Sequence, residues 1–154
     1  MSETVDLAEL SGIEQLRRAL GGEASPGGIG ATLGFSMVEL EEGRVVFEGT
    51  PGPHLYNPLG TVHGGYAATL LDSAVGCAVH SKLIPGQAFT TLELKVSYLK
   101  AMTEATGPVR AEGVVINMGR RAAFAEGRLT DADGRLYATA TSTLIIFDRI
   151  GKAA

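Results

Sequence analysis

Between Gly64 and Ser81 the chain carries one formally charged side chain, Asp72. Around it stand Tyr66, Ala67, Ala68, Leu70, Leu71, Ala74, Val75, Cys77, Ala78 and Val79. An apolar run of about eighteen residues with so few polar interruptions predicts a helix buried on nearly all sides. Its length is marginal for a membrane span, and Asp72, Thr69, Ser73 and the glycines argue against one. Upstream, the apolar positions of Ile13 to Leu20 fall at helical spacing and predict a short amphipathic helix ending at Gly21-Gly22. Ser25-Pro26-Gly27-Gly28 continues as a loop. Leu33 to Leu40 and Arg44 to Gly49 read as two strands around a Glu41-Glu42-Gly43 turn, and Pro51, Pro53 and Pro58 exclude regular helix before His63.

Beyond the apolar run, Pro85-Gly86 breaks the chain. Leu92, Leu94, Val96 and Tyr98 then alternate with Thr91, Glu93, Lys95 and Ser97, the pattern of a half-buried strand. Val109 to Asn117 and Arg121 to Thr130 predict two more strands around Met118-Gly119-Arg120. Asp131-Ala132-Asp133-Gly134 is a turn, and Arg135 to Phe147 the last long strand, with Leu136, Ala138, Ala140, Leu144 and Ile146 on one face. Strands in hairpin succession with segregated helices describe an α+β domain with an antiparallel sheet. A helix apolar all round needs that sheet to curl about it. The expected organisation is an N-terminal helix and loop over 1–32, the domain over 33–148 and a tail over 149–154.

With 154 residues there is room for one core, and 45% hydrophobic residues suit a chain that buries much of itself, partly in an oligomer interface. A net charge of −4 gives no reason to expect nucleic acid or an anionic membrane as partner. One cysteine excludes an intrachain disulfide framework and a cysteine-rich zinc site, and His54, His63 and His80 lack metal-ligand spacing. Residues 1–10, with Glu3, Asp6 and Glu9, do not read as a signal peptide, so the expectation is a cytoplasmic protein.

The candidate chemistry lies at the start of the apolar helix and in its middle. A helix N-terminus presents free N–H groups and a partial positive charge, and Gly64 and Gly65 let a ligand carbonyl approach closely. A carboxylate at Asp72 in so apolar a helix must be paired, neutralised or used. Thr69 or Ser73 could satisfy it, and His63-Gly64-Gly65 could equally be a helix cap and a tight turn.

The spacing Asn57, five residues, His63-Gly64-Gly65, six residues, Asp72, set in this order of elements, resembles the hotdog-fold acyl-CoA thioesterases. The similarity is greatest to their PaaI-like and 4-hydroxybenzoyl-CoA thioesterase branch, and it covers 34–147. The resemblance implies an antiparallel sheet wrapped around a long central helix. It implies hydrolysis of an acyl-CoA thioester by water, with no metal or redox cofactor. Asp72 would be the catalytic carboxylate, as general base or nucleophile. Gly64 would give its backbone N–H to the thioester carbonyl, with Gly65 beside it, and Asn57 and His63 would help hold the carbonyl or the water. Thr91 matches a position that often carries a hydroxyl near the acid, while Gly76 stands where some relatives have one. Gly119, Arg120 and Arg121 fall in the turn where relatives contact CoA phosphates, a task suited to arginine. Relatives are usually homotetramers, pairs of dimers with two sites per dimer.

Helix geometry adds an independent constraint. Asp72 lies eight residues beyond Gly64, about 12 Å along the axis, and His63 and Asp72 point about 180° apart. One carboxylate cannot span that distance along its own helix. If both ends serve one thioester, they come from different chains. Two other activities fit the same fold: a hydratase or dehydratase, whose histidine and acid normally sit at another spacing, and a non-catalytic acyl-CoA-binding domain, against which Asp72 and Asn57 argue. Cys77 in an apolar helix suits an inert thiol better than a nucleophile.

Overall fold

The computed structural model describes residues 6–23 and 27–149. In chain order these form α1 (Gly12–Arg18), α2 (Ile29–Leu33), β1 (Phe35–Glu41), β2 (Arg44–Gly49) and the long helix α3 (Gly64–His80). Strands β3 (Gln87–Tyr98), β4 (Val109–Met118), β5 (Ala122–Asp131) and β6 (Leu136–Asp148) follow. The six strands make one antiparallel sheet in the order β1-β2-β4-β5-β6-β3, which leaves β1 and β3 at its edges. Helix α3 packs against β2 through β6. Five strands about 4.8 Å apart span about 19 Å, wider than a helix about 10–12 Å across, so one helix reaches them all only where the sheet curls. This is the hotdog arrangement that the resemblance implies.

The helix lies close because the sheet offers it only glycine and alanine at its centre. Gly113 on β4 pairs with Gly127 on β5, which pairs with Ala140 on β6. A Cβ at Gly113 would fall on the Ala74 carbonyl and 2.5 Å from the Val75 nitrogen; one at Gly127 would sit 3.0 Å from Leu71 Cδ2. Leu70, Leu71, Ala74, Val75, Ala78 and Val79 are fully buried in consequence. At the far end of α3, the Gly12 N–H donates to the Leu83 carbonyl (2.8 Å) and His80 meets Gln15 (3.1 Å), which seats α1 against that end of the core.

Several boundaries differ from the sequence expectation. Leu33 ends α2 rather than opening a strand: Gly34 adopts a left-handed conformation (φ 71°), its N–H caps Gly30, and β1 starts at Phe35. In β3 the alternation breaks at Leu92, which is 62% exposed, because the pairing with β6 slips by one residue between Thr91 and Glu93. Such a bulge throws one side chain out of register. The α3 flank carrying Ala68, Thr69, Asp72, Ser73 and Cys77 is half-buried, the one side left open on a helix expected to be buried on nearly all sides. The Ser25-Pro26 half of the expected loop lies outside the described residues. Among the described residues no helix is long and apolar enough to cross a membrane.

Candidate active site

His63 caps α3, its Nδ1 accepting the Gly65 N–H at 2.8 Å, while the Tyr66 N–H donates to the His63 carbonyl at 3.0 Å. Among the described residues no acceptor meets the Gly64 N–H. That leaves one free donor at the positive end of a 17-residue helix. Both glycines also serve the protein's own packing. A Cβ on Gly65 would come 2.9 Å from His63 Nδ1, and one on Gly64 would come 3.0 Å from Tyr98 Cζ. The Tyr98 hydroxyl donates to the Gly64 carbonyl at 2.8 Å.

Asn57 organises the loop that leads into the helix. Its Oδ1 accepts from the Leu59 and Thr61 N–H groups (2.9 and 3.3 Å), and its Nδ2 donates to Thr61 Oγ1 (3.1 Å). An antiparallel bridge of Tyr56 with Val62, and the His63 N–H donated to the Leu55 carbonyl (2.8 Å), close the loop around it. Asn57 and His63 therefore shape one turn at one end of α3.

Asp72 sits two turns further on, half-buried on the open flank of the helix. Neither Thr69 nor Ser73 satisfies it: Thr69 donates back to the Gly65 carbonyl at 2.8 Å, and no bond joins Ser73 to Asp72. The partner is Thr91 on β3, whose hydroxyl donates to Asp72 Oδ1 at 3.0 Å. This leaves Oδ2 unbonded among the described residues. Gly76, one turn on, is small because the Phe89 ring packs over it; a Cβ there would lie 3.2 Å from Phe89 Cε2. No local pattern in the chain signals that ring. Burial, and then the charge of Asp72, push the Cys77 thiol up to about 12, so it holds its proton at neutral pH and is no nucleophile.

Gly119 closes the β4–β5 turn by donating its N–H to the Ala122 carbonyl at 2.8 Å. Arg120 and Arg121 project from that turn into an open groove of about 620 Å³, together with Ile84, Gln87, Ile145 and Phe147. Neither guanidinium has a hydrogen-bonding or acidic partner among the described residues. Ala122 pairs with Ile145, and Ile145 with Thr90, so the arginine turn stands two strands, about 10 Å, from the strand carrying Thr91. No cluster of three or more His, Cys, Asp or Glu that could hold a metal occurs among the described residues.

The molecule thus has two polar stations on one helix: a free N–H at Gly64 and a hydrogen-bonded carboxylate at Asp72, about 12 Å apart by helix rise. The model of the thioesterase superfamily matches residues 59–138, from the loop before α3 into β6. The 1,4-dihydroxy-2-naphthoyl-CoA hydrolase of Listeria monocytogenes is 24% identical over 119 residues, 77% of this chain and 95% of its own. The solved structure of a phenylacetic acid degradation-related protein from Ralstonia eutropha is 30% identical, with a TM-score of 0.75 over 84% of this chain and 97% of that one. The phenylacetic acid degradation protein PaaI of Thermus thermophilus, solved as a point mutant, is 27% identical with a TM-score of 0.68 over 75% and 96%. On a family match that covers half the chain, in a fold shared with PaaI-like enzymes, this protein belongs to the thioesterase superfamily and is a thioester hydrolase.

Proposed function

We propose that the substrate is an acyl-CoA with an aryl or arylacetyl group, cleaved by water at sites shared between two copies of the chain. Asp72 with Thr91 comes from one copy, and the carbonyl-binding N–H from Gly64 of the partner subunit. The observation that carries this reading is the separation of the two stations on a single helix, too long for one side chain to bridge. The edge position of β3 supports it. Thr91, beside Asp72, is the fifth of the twelve residues of this strand, and Tyr98, beside Gly64, is the last. Antiparallel pairing of two such edges about a two-fold axis between Leu94 and Lys95 would set Thr91 of one strand opposite the partner's Tyr98.

In that setting the Thr91 hydroxyl fixes Oδ1 of Asp72. Oδ2 either takes a proton from water as the water adds to the thioester carbon, or itself adds to that carbon. Both routes put negative charge on the carbonyl oxygen, which an N–H at a helix N-terminus is placed to receive, an interaction typically worth about 2.7–4 kcal/mol. The carbon–sulfur bond then breaks. The thiolate leaves as CoA and takes up a proton. In the first route the acyl group leaves as the acid with the oxygen of water. In the second it stays on Asp72 as a mixed anhydride that water then hydrolyses to the acid and the free carboxylate. Asn57 and His63 hold the loop that presents the N–H. Arg120 and Arg121, without a partner among the described residues, suit the CoA phosphates by charge and forked hydrogen bonding. The aryl preference rests on the naphthoyl-CoA and phenylacetate relatives.

CoA release from phenylacetyl-, benzoyl-, hydroxybenzoyl-, hexanoyl- and palmitoyl-CoA tests the proposal. The expected result is the highest kcat/KM on an aromatic ester. Equal turnover of palmitoyl-CoA removes the aryl preference, and release from none of the five contradicts the acyl-CoA assignment.

A further inference from the structure

A groove of about 310 Å³ opens beside the N-terminus of α3, between Val62, Gly64, Ala67, Tyr98, Leu99 and Met102. Its walls are apolar apart from Lys100, whose ammonium lies 5.5 Å from the centroid of the Tyr137 ring. Tyr98 is held in an unusual way for a strand residue. Its hydroxyl is fixed to the Gly64 carbonyl and its ring edge lies against Gly64, yet 56% of the residue is exposed. The ring is thus anchored at its tip and bare along its side. The protein keeps a large aromatic side chain out of its core, beside the free N–H that opens its longest helix.

We propose that Tyr98 is a specificity-determining residue: its ring walls the subsite that takes the acyl group of the thioester. The inference rests on the reading that the Gly64 N–H receives the carbonyl. A carbonyl oxygen on that N–H places the acyl carbon within a few ångströms of Gly64, and this apolar groove is the space that Gly64 lines. The volume is at the low end of small-molecule pockets, about 300–1,000 Å³, and suits a compact acyl group rather than a long chain. A flat aromatic acyl group would pack on the Tyr98 ring with centroids about 4.5–7 Å apart. A long chain would have to run past Tyr98.

The readout is the ratio of kcat/KM for phenylacetyl-CoA over palmitoyl-CoA in wild type, Tyr98→Phe and Tyr98→Ala. Tyr98→Phe keeps the wall and loses only the bond to the Gly64 carbonyl, so its ratio should stay within about 3-fold of wild type. Tyr98→Ala removes the wall and should lower the ratio by about 10-fold or more, the scale set by lost contacts in an apolar pocket. If Tyr98→Ala does not fold, Tyr98→Leu, which keeps bulk against Gly64 without a flat ring, should lower the ratio in the same direction. Loss of activity by one common factor on both esters, with the ratio unchanged, overturns the inference while leaving the thioesterase reading intact. Wild type that releases no CoA from either ester overturns that reading and this inference with it.

Discussion

Asp72→Asn is expected to lower kcat by about 10²-fold or more with KM close to wild type, the pattern of an interaction made only in the transition state. The substitution isolates charge from shape. An asparagine amide has the same outline, and the Thr91 hydroxyl, 3.0 Å from Oδ1, can donate to its oxygen as it does to the carboxylate. What disappears is the ability to take a proton from water or to add to a carbonyl carbon. Stability should not fall with activity. A carboxylate on an apolar helix flank, with one hydrogen bond, costs desolvation that a neutral amide avoids in part. Steady-state kinetics on the best ester, with a melting curve of the same preparation, checks both halves. Unchanged kcat would remove Asp72 from the chemistry, and a collapse of the melting temperature would make it a structural residue.

Gly113→Ala is expected to cause a large loss of stability for one added methyl group. The new carbon meets backbone rather than a side-chain tip: the Ala74 carbonyl and, at 2.5 Å, the Val75 nitrogen. No rotamer change relieves such a clash, so α3 must lift from the sheet. Overpacking in cores typically costs about 1–3 kcal/mol, and a backbone contact belongs at or above the upper end. At about 2–4 °C per kcal/mol for a chain of this size, the melting temperature should fall by about 6–12 °C. Gly134→Ala, at an exposed turn with nothing within 4 Å but φ of 80°, should cost less, since strain there is only that of a left-handed residue. Equal effects at the two positions would contradict the account of close helix–sheet packing.

The central helix was legible because its apolar run has no competing pattern, and β2 because a hairpin of glutamates and glycine fixes its start and Gly49 its end. What could not be read along the chain depends on contacts between distant residues. Leu92 belongs to a regular alternation, and only the slip against β6 turns it outward. The one-turn helix before Gly34 is too short for a periodic signal. The motif residues were legible as a set, but their local duties were not. His63 spends Nδ1 on the Gly65 N–H and Asn57 spends its amide on its own loop, facts of loop geometry rather than of residue type. Tyr98 passed as one apolar residue of a strand, because nothing in its neighbours says that its hydroxyl reaches Gly64.

The most direct test of the shared site is complementation between two inactive variants. Gly64→Pro deletes the free N–H at a helix position where proline is well tolerated, and His63, at φ −60° and ψ 134°, already has the extended conformation proline demands before it. The Tyr98 ring, 3.0 Å from the new Cβ, needs to move only a few tenths of an ångström. Gly64→Pro and Asp72→Asn chains would be purified separately, then unfolded and refolded together. Random pairing makes about half the dimers mixed, each with one intact site of two, so a shared site predicts recovery of about a quarter of wild-type activity. A mixture no more active than the two variants apart would place the whole site within one chain and contradict the account.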